Sequence, residues 1–181
     1  MKALRGKGFG PGLLAGGNLG TAGWSRPALE GRSALMPESA RAIENLILTY
    51  AACVDAGDFA GVGELFAEGV FAGGRTPATG RAAVERYFRD MLIVYADGTP
   101  RTRHLTTNLR IEVDEAAGTA TAHSYWTALQ AVADLPLQPI ASGHYDDRFA
   151  RRDGQWRFTE RRPSVDLAGN LAYHLKPGAL S

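Results

Sequence analysis

Two residues suited to moving a proton stand at the edges of patterned segments in this chain. Asp55 lies in ACVDAGD and His104 opens RHLTTNLRIEV. A neutral imidazole facing an apolar cavity can accept a proton from carbon. A carboxylate on its other ring nitrogen would fix the tautomer and stabilise the imidazolium that forms. Arg161, near the end of GQWRFTERR, is a third candidate, because a buried guanidinium must pair with a carboxylate or with negative charge on a ligand. Tyr50 is a fourth, since its hydroxyl needs a partner if the ring is buried. His123, Tyr125 and Tyr145, with Phe71, are candidates for the wall of a ligand cavity. Each has a plainer reading: Asp55 as a solvated acid beside a turn, His104 as an inert strand-edge imidazole, Arg161 as a solvated strand end and Tyr50 as core. A metal site from His104, His123 and His144 is disfavoured, because these residues lack a recognisable ligand spacing.

These residues depend on the elements that carry them. From Glu38 to Ala56 the apolar residues Ile43, Leu46, Ile47, Tyr50, Ala51 and Val54 recur at three- and four-residue steps, which predicts a helix with Asp55 at the rim of its apolar face. Gly57 suits the helix end, and Asp58 suits the cap of a second helix, Phe59 to Ala67. A short strand is expected around Val70–Ala72. A third helix is expected from Thr79 or Gly80 to about Tyr95. Strands then follow over Arg103–Val113, Thr119–Val132, Ile140–Arg151 and Gln155–Val165, separated by Asp114–Gly118, a proline-containing loop DLPLQP and the tight Asp153-Gly154 turn. The structure of the tail, Asp166–Ser181, is left open.

The strand headed by His104 contains a conflict. Strict alternation places His104 on the face opposite Leu109, Ile111 and Val113. Either a β-bulge intervenes, at Thr106–Asn108, or both faces of the sheet are covered, for instance by a second subunit.

Helices first and antiparallel strands later define an α+β class, with helices packed on one face of a curved sheet. Such a fold encloses a space fit for a small apolar ligand. Residues 1–35 form a glycine-rich basic extension with nine glycines, five basic residues and one acid; this composition predicts disorder, with the folded domain spanning 36–181. The remainder carries 15 basic and 18 acidic residues, which gives no bulk electrostatic reason to bind nucleic acid or an anionic membrane. The single cysteine, Cys53, excludes an intramolecular disulfide and a cysteine metal cluster. The basic start MKALRGKG lacks the continuous apolar segment of a signal peptide, so a cytoplasmic location is expected. P-loop, GxSxG and HExxH motifs are absent from the sequence.

Four passages carry a resemblance to a known family: IENLILTYAACVDAGDF, VGELFAEGVF, RHLTTNLRIEV and SGHYDDRFARRDGQWRFTERR. Together they resemble the SnoaL-like branch of the nuclear transport factor 2-like superfamily over about Ala40 to Val165. In motif they are nearest to the scytalone dehydratase, hexachlorocyclohexane dehydrochlorinase and bile-acid dehydratase group. The resemblance implies a cone-shaped α+β barrel, with three N-terminal helices on a strongly curved, mainly antiparallel sheet. Asp55 and His104 fall at the positions of that group's aspartate and histidine, and Thr107–Arg110 matches the dehydrochlorinase passage TNLR, which adds Asn108 to the ligand-contacting candidates. Arg161 matches a pocket arginine. Tyr50, five residues before Asp55, matches a tyrosine of the bile-acid dehydratase, where the dehydrochlorinase has lysine.

The implied activity is that of a cofactor-independent lyase or isomerase, needing neither metal nor organic cofactor and acting on a small, largely apolar ring compound. His104 would be the base and Asp55 its orienting partner, with Arg161 and Tyr50 stabilising developing negative charge. The fold also hosts polyketide-cyclase-like aldol chemistry, non-catalytic ligand binders and adaptors, and these alternatives stay open. A homodimer or homotrimer is expected from the exposed sheet face.

Overall fold

A computed structural model of the chain describes residues 38–179. The expected basic extension and the expected domain start at residue 36 lie outside these residues. The elements are α1 (Glu38–Ala56), α2 (Phe59–Leu65), β1 (Val70–Phe71), β2 (Ala78–Thr79), α3 (Arg81–Met91), β3 (Thr102–Asp114), β4 (Thr119–Val132), β5 (Leu135–Arg152) and β6 (Gln155–Ala168). Six strands form one sheet in the order β2-β1-β6-β5-β4-β3. All neighbours are antiparallel except β1 and β6, which run parallel. The sheet stays open, ending at β2 and β3 rather than closing into a complete barrel.

The apolar stripe of α1 is buried as its period requires: Ile43, Ile47, Tyr50 and Val54 are all at most 4% exposed. Each aliphatic side chain buried in this way contributes roughly 1.5–3 kcal/mol. Gly57 ends α1 at φ 71, in the left-handed region. A Cβ there would stand 2.2 Å from the Gly98 carbonyl oxygen, so glycine lets the loop leading into β3 close against the end of α1. Asp58 caps α2, its carboxylate accepting from Gly61 N–H at 2.8 Å.

Two expected boundaries move, and the tail left open takes a defined course. Helix α3 stops at Met91 rather than near Tyr95, because Leu92 turns extended and bridges to Leu175 in the tail, while Ile93 N–H donates to the His174 carbonyl. The expected loop DLPLQP is largely strand, since β5 begins at Leu135 immediately after a turn at 133–134. Its prolines are tolerated because the β6 ladder ends at Ala141↔Ala168 and demands no N–H from Pro136 or Pro139. The tail folds back over α3, with Lys176 N–H donating to the Met91 carbonyl. Among the described residues no helix is long and apolar enough to cross a membrane.

The bulge demanded by the alternation conflict is present. Pairing of β3 with β4 slips between Thr107 and Arg110, and Asn108 sits at φ 53. Before the slip Thr102, His104 and Thr106 face the helices; after it Leu109, Ile111 and Val113 do so. Asparagine is among the few residues that accept this backbone region readily.

Candidate active site

Asp55 occupies the last turn of α1, where the helix dipole disfavours an anion. Its carboxylate is compensated entirely from β3. Oδ1 accepts from the Thr102 hydroxyl at 2.8 Å and lies 2.6 Å from His104 Nδ1, and Oδ2 accepts from the His104 backbone N–H at 2.8 Å. The His104 and Asp55 side chains are only 10% and 7% exposed. Burial alone would raise the Asp55 pKa. The bond to the His104 ring, the charge of that ring, the His104 N–H and Thr102 outweigh burial and hold it below the ordinary carboxylate range. An ionised carboxylate can only accept, so Nδ1 is the atom that donates to it, and in the neutral imidazole the lone pair then stands on Nε2, the tautomer a general base requires.

From His104 the inner face of the sheet continues as a row of aromatic rings. Trp126 lies 6.3 Å from the imidazole, Tyr145 stacks on Trp126 at 5.7 Å, and Tyr50 meets Tyr145 edge-on at 5.8 Å. Phe71 stacks on Tyr50 at 6.2 Å. Gly143 makes room for the indole: a Cβ there would stand 3.1 Å from the Trp126 ring and 1.9 Å from the Ser164 carbonyl oxygen.

The row ends at Arg161, which is fully buried. Its guanidinium lies 4.2 Å from the Tyr50 ring centre and 4.1 Å from that of Tyr145, and it donates to Asp147 through Nε at 2.8 Å and Nη2 at 2.6 Å. Burial lowers its pKa, but the charge and hydrogen bonds of Asp147 more than reverse this and raise it above its ordinary value. Both phenols stay protonated. Burial, then the neighbouring Tyr145, lifts Tyr50 well above its ordinary value, and burial pushes Tyr145 up to about 12 against the pull of Arg161. Arg161 therefore already has its anion. Only Nη1, buried and without a partner, remains for another acceptor.

The structure brings together His104 and Asp55 at one point and Tyr50, Tyr145, Phe71 and Arg161 further along the same face. It does not bring the other candidates to them. On β4 the even-numbered residues from Ala120 to Gln130 are buried, so His123 and Tyr125 point to the outer face. His123 pairs there with Asp146 at 2.8 Å, and Tyr125 is 48% exposed. Asn108 is exposed in the bulge, where its contribution is its backbone conformation. His144 also lies outside, against Asp166 at 2.9 Å, so the three imidazoles weighed as metal ligands do not converge. A groove of about 570 Å³ on this outer face, lined by Arg110, His123, Asp146, Arg148, Glu160 and Arg162, is separated from the dyad by the sheet itself.

Four inward residues were not singled out from sequence. Thr102 and Asp147 carried a usable signal, standing two positions from His104 and Tyr145 on the same strand faces. Trp126 stands on the face of β4 opposite the candidates His123 and Tyr125. His174 carried none, because the tail has no hydrophobic period.

An α+β fold of helices on an open curved sheet, with an inward His–Asp pair, defines the class. A SnoaL-like domain profile matches residues 37–162, and the chain belongs to that family. Rv3472 of Mycobacterium tuberculosis, a protein of unknown function, is 31% identical, with 71% of this chain and 76% of that chain covered and a TM-score of 0.59. A nuclear transport factor 2-like protein with a cystatin-like fold from Novosphingobium aromaticivorans is 23% identical, with 79% and 96% covered and a TM-score of 0.55. A proposed scytalone dehydratase from the same bacterium is 22% identical, with 73% and 91% covered and a TM-score of 0.56. No curated protein sequence matches the chain.

Proposed function

We propose that the protein is a lyase or isomerase that removes a proton from carbon with His104 as the base. The observation carrying this reading is the 2.6 Å contact between His104 Nδ1 and an Asp55 carboxylate also held by His104 N–H and Thr102. In an elimination, Nε2 takes the proton and the C–H electron pair becomes the new π bond. The bond to the leaving hydroxide or halide breaks with its electrons, and the imidazolium returns its proton to a departing hydroxide as water. Asp55 stabilises the imidazolium in between. In an isomerisation the same proton is returned at another carbon. The aromatic row from Trp126 to Tyr50 suits a small, largely apolar ring compound. The scytalone dehydratase likeness supports the same class of chemistry.

A second reading, a non-catalytic ligand binder, is favoured by one observation: Asp147 already neutralises Arg161, the cation expected to stabilise developing charge. A screen of hydroxylated and halogenated ring compounds separates the readings. Mass spectrometry in D2O would reveal loss of water or hydrogen halide, or deuterium gained at carbon, if the protein is an enzyme. Binding of a screened compound without any of these changes supports the binder.

A further inference from the structure

His174 lies on the tail, outside every motif that marks the family in this chain, yet the backbone around it is held at several points. The Tyr173 carbonyl accepts from the Tyr95 hydroxyl at 2.6 Å and from Gln130 Nε2 at 3.0 Å. The His174 carbonyl accepts from Ile93 N–H at 2.9 Å, and its own N–H donates to the Leu171 carbonyl at 3.0 Å. Gln130 is buried on the inner face of β4 and stands directly across from Thr102, which holds Asp55. The tail is thus fixed two side chains away from the dyad carboxylate. Within this framework two atoms are left over: Gln130 Oε1 and Nδ1 of the His174 ring are both buried and have no partner. Buried polar atoms nearly always have one, so an orphan beside a dyad calls for an atom from a ligand.

We infer that His174 contacts the substrate, its Nδ1 hydrogen-bonding a hydroxyl or carbonyl oxygen carried by the ring while His104 attends to the C–H bond. The inference rests on the dyad reading and sharpens its substrate class, from an apolar ring to one bearing oxygen close to the reacting carbon. The charge state fits this role. Burial, then the nearby His104, pushes the His174 pKa down to about 4 against the pull of Asp55, so the ring is uncharged at neutral pH. An uncharged imidazole can donate to a carbonyl or accept from a hydroxyl, and it does not compete with His104 for Asp55.

The test uses the full chain labelled with 15N-histidine and two probes of similar size, 2-naphthol and naphthalene. Long-range 1H–15N spectra are recorded for wild type, His104→Ala, His174→Phe and the milder His174→Gln. The expected result is that 2-naphthol moves the His174 Nδ1 resonance and naphthalene does not. His174→Phe should weaken 2-naphthol binding roughly tenfold, the worth of one neutral hydrogen bond, and leave naphthalene binding unchanged. If His174→Phe does not fold, His174→Gln carries the comparison and should retain part of the preference. The inference is overturned if the Nδ1 resonance stays still up to the solubility limit of 2-naphthol, or if both probes weaken equally. The dyad reading fails separately, through turnover of a screened substrate that survives His104→Ala.

Discussion

Asp55 is met twice by the same residue: the His104 ring reaches its carboxylate at 2.6 Å and the His104 backbone N–H at 2.8 Å. The strand backbone and the imidazole are therefore fixed by one anion at the end of one helix. Thr102 completes the set from two residues earlier. Replacing Asp55 by Asn keeps the shape but removes the charge that stabilises an imidazolium. Asp55→Asn is expected to lower turnover by about 10²–10⁴-fold, the usual worth of a positioned acid–base group, with circular dichroism unchanged. A variant that kept wild-type turnover would show that the carboxylate is structural only.

The Arg161–Asp147 pair is fully buried on both sides. Asp147→Asn leaves a guanidinium uncompensated between two phenols and should cost about 3–5 kcal/mol in urea unfolding. Replacing both partners by Met and Leu together should cost far less, since apolar groups of similar volume can substitute for a buried ion pair. If the double replacement were as damaging as Asp147→Asn, the pair would be contributing stability of its own, beyond avoiding an unpaired charge.

The bulge at Asn108 is the device that lets His104 and the run Leu109, Ile111, Val113 share one face. Asn108→Val, a β-branched residue forced to positive φ, should cost about 1–2 kcal/mol, while Asn108→Gly should be nearly neutral. Deleting Asn108 leaves Leu109, Ile111 and Val113 an even number of residues from His104, so a regular strand without the bulge keeps both on the inner face. The deletion is expected to fold with His104 still inward, and a deletion that unfolded the chain would refute the register argument.

His174 gives a pH signature with a defined sign. Its folded pKa of about 4 lies below the ordinary 6.5. Between those values the unfolded chain binds a proton that the folded chain does not, so stability falls as pH drops from 6.5 toward 4 and this contribution is fully present only above 6.5. The groups facing the ring are His104 from β3 and Asp55 from α1. In His174→Phe the loss across this window should shrink by on the order of 2–3 kcal/mol relative to wild type, measured by urea unfolding at stepped pH. Parallel curves for the two proteins would contradict an uncharged His174 with its Nδ1 buried.

The sequence made the dyad legible because its two halves stand at predictable places, the end of an amphipathic helix and the head of a long strand. The bulge was legible as a contradiction, since no regular strand could satisfy both His104 and Leu109–Val113. His123 and Tyr125 misled for a physical reason. The inner face of β4 carries mostly small residues, Ala120, Ala122, Ser124 and Ala128, with Trp126 and Gln130 the larger exceptions, while His123 and Tyr125, the side chains with evident chemistry, stand on its outer face. Choosing candidates on β4 by side-chain chemistry rather than by strand parity picks the outward positions. The tail escaped detection because backbone hydrogen bonds and one bridge order it rather than a repeating apolar stripe.

The most direct measurement is the turnover of His104→Ala on a compound that the wild type converts in the mass-spectrometric screen, with folding checked by urea unfolding. A loss of about 10²–10⁴-fold in kcat and no deuterium gained at carbon in D2O are expected. A folded His104→Ala protein that turns over substrate at the wild-type rate would contradict His104 as the base.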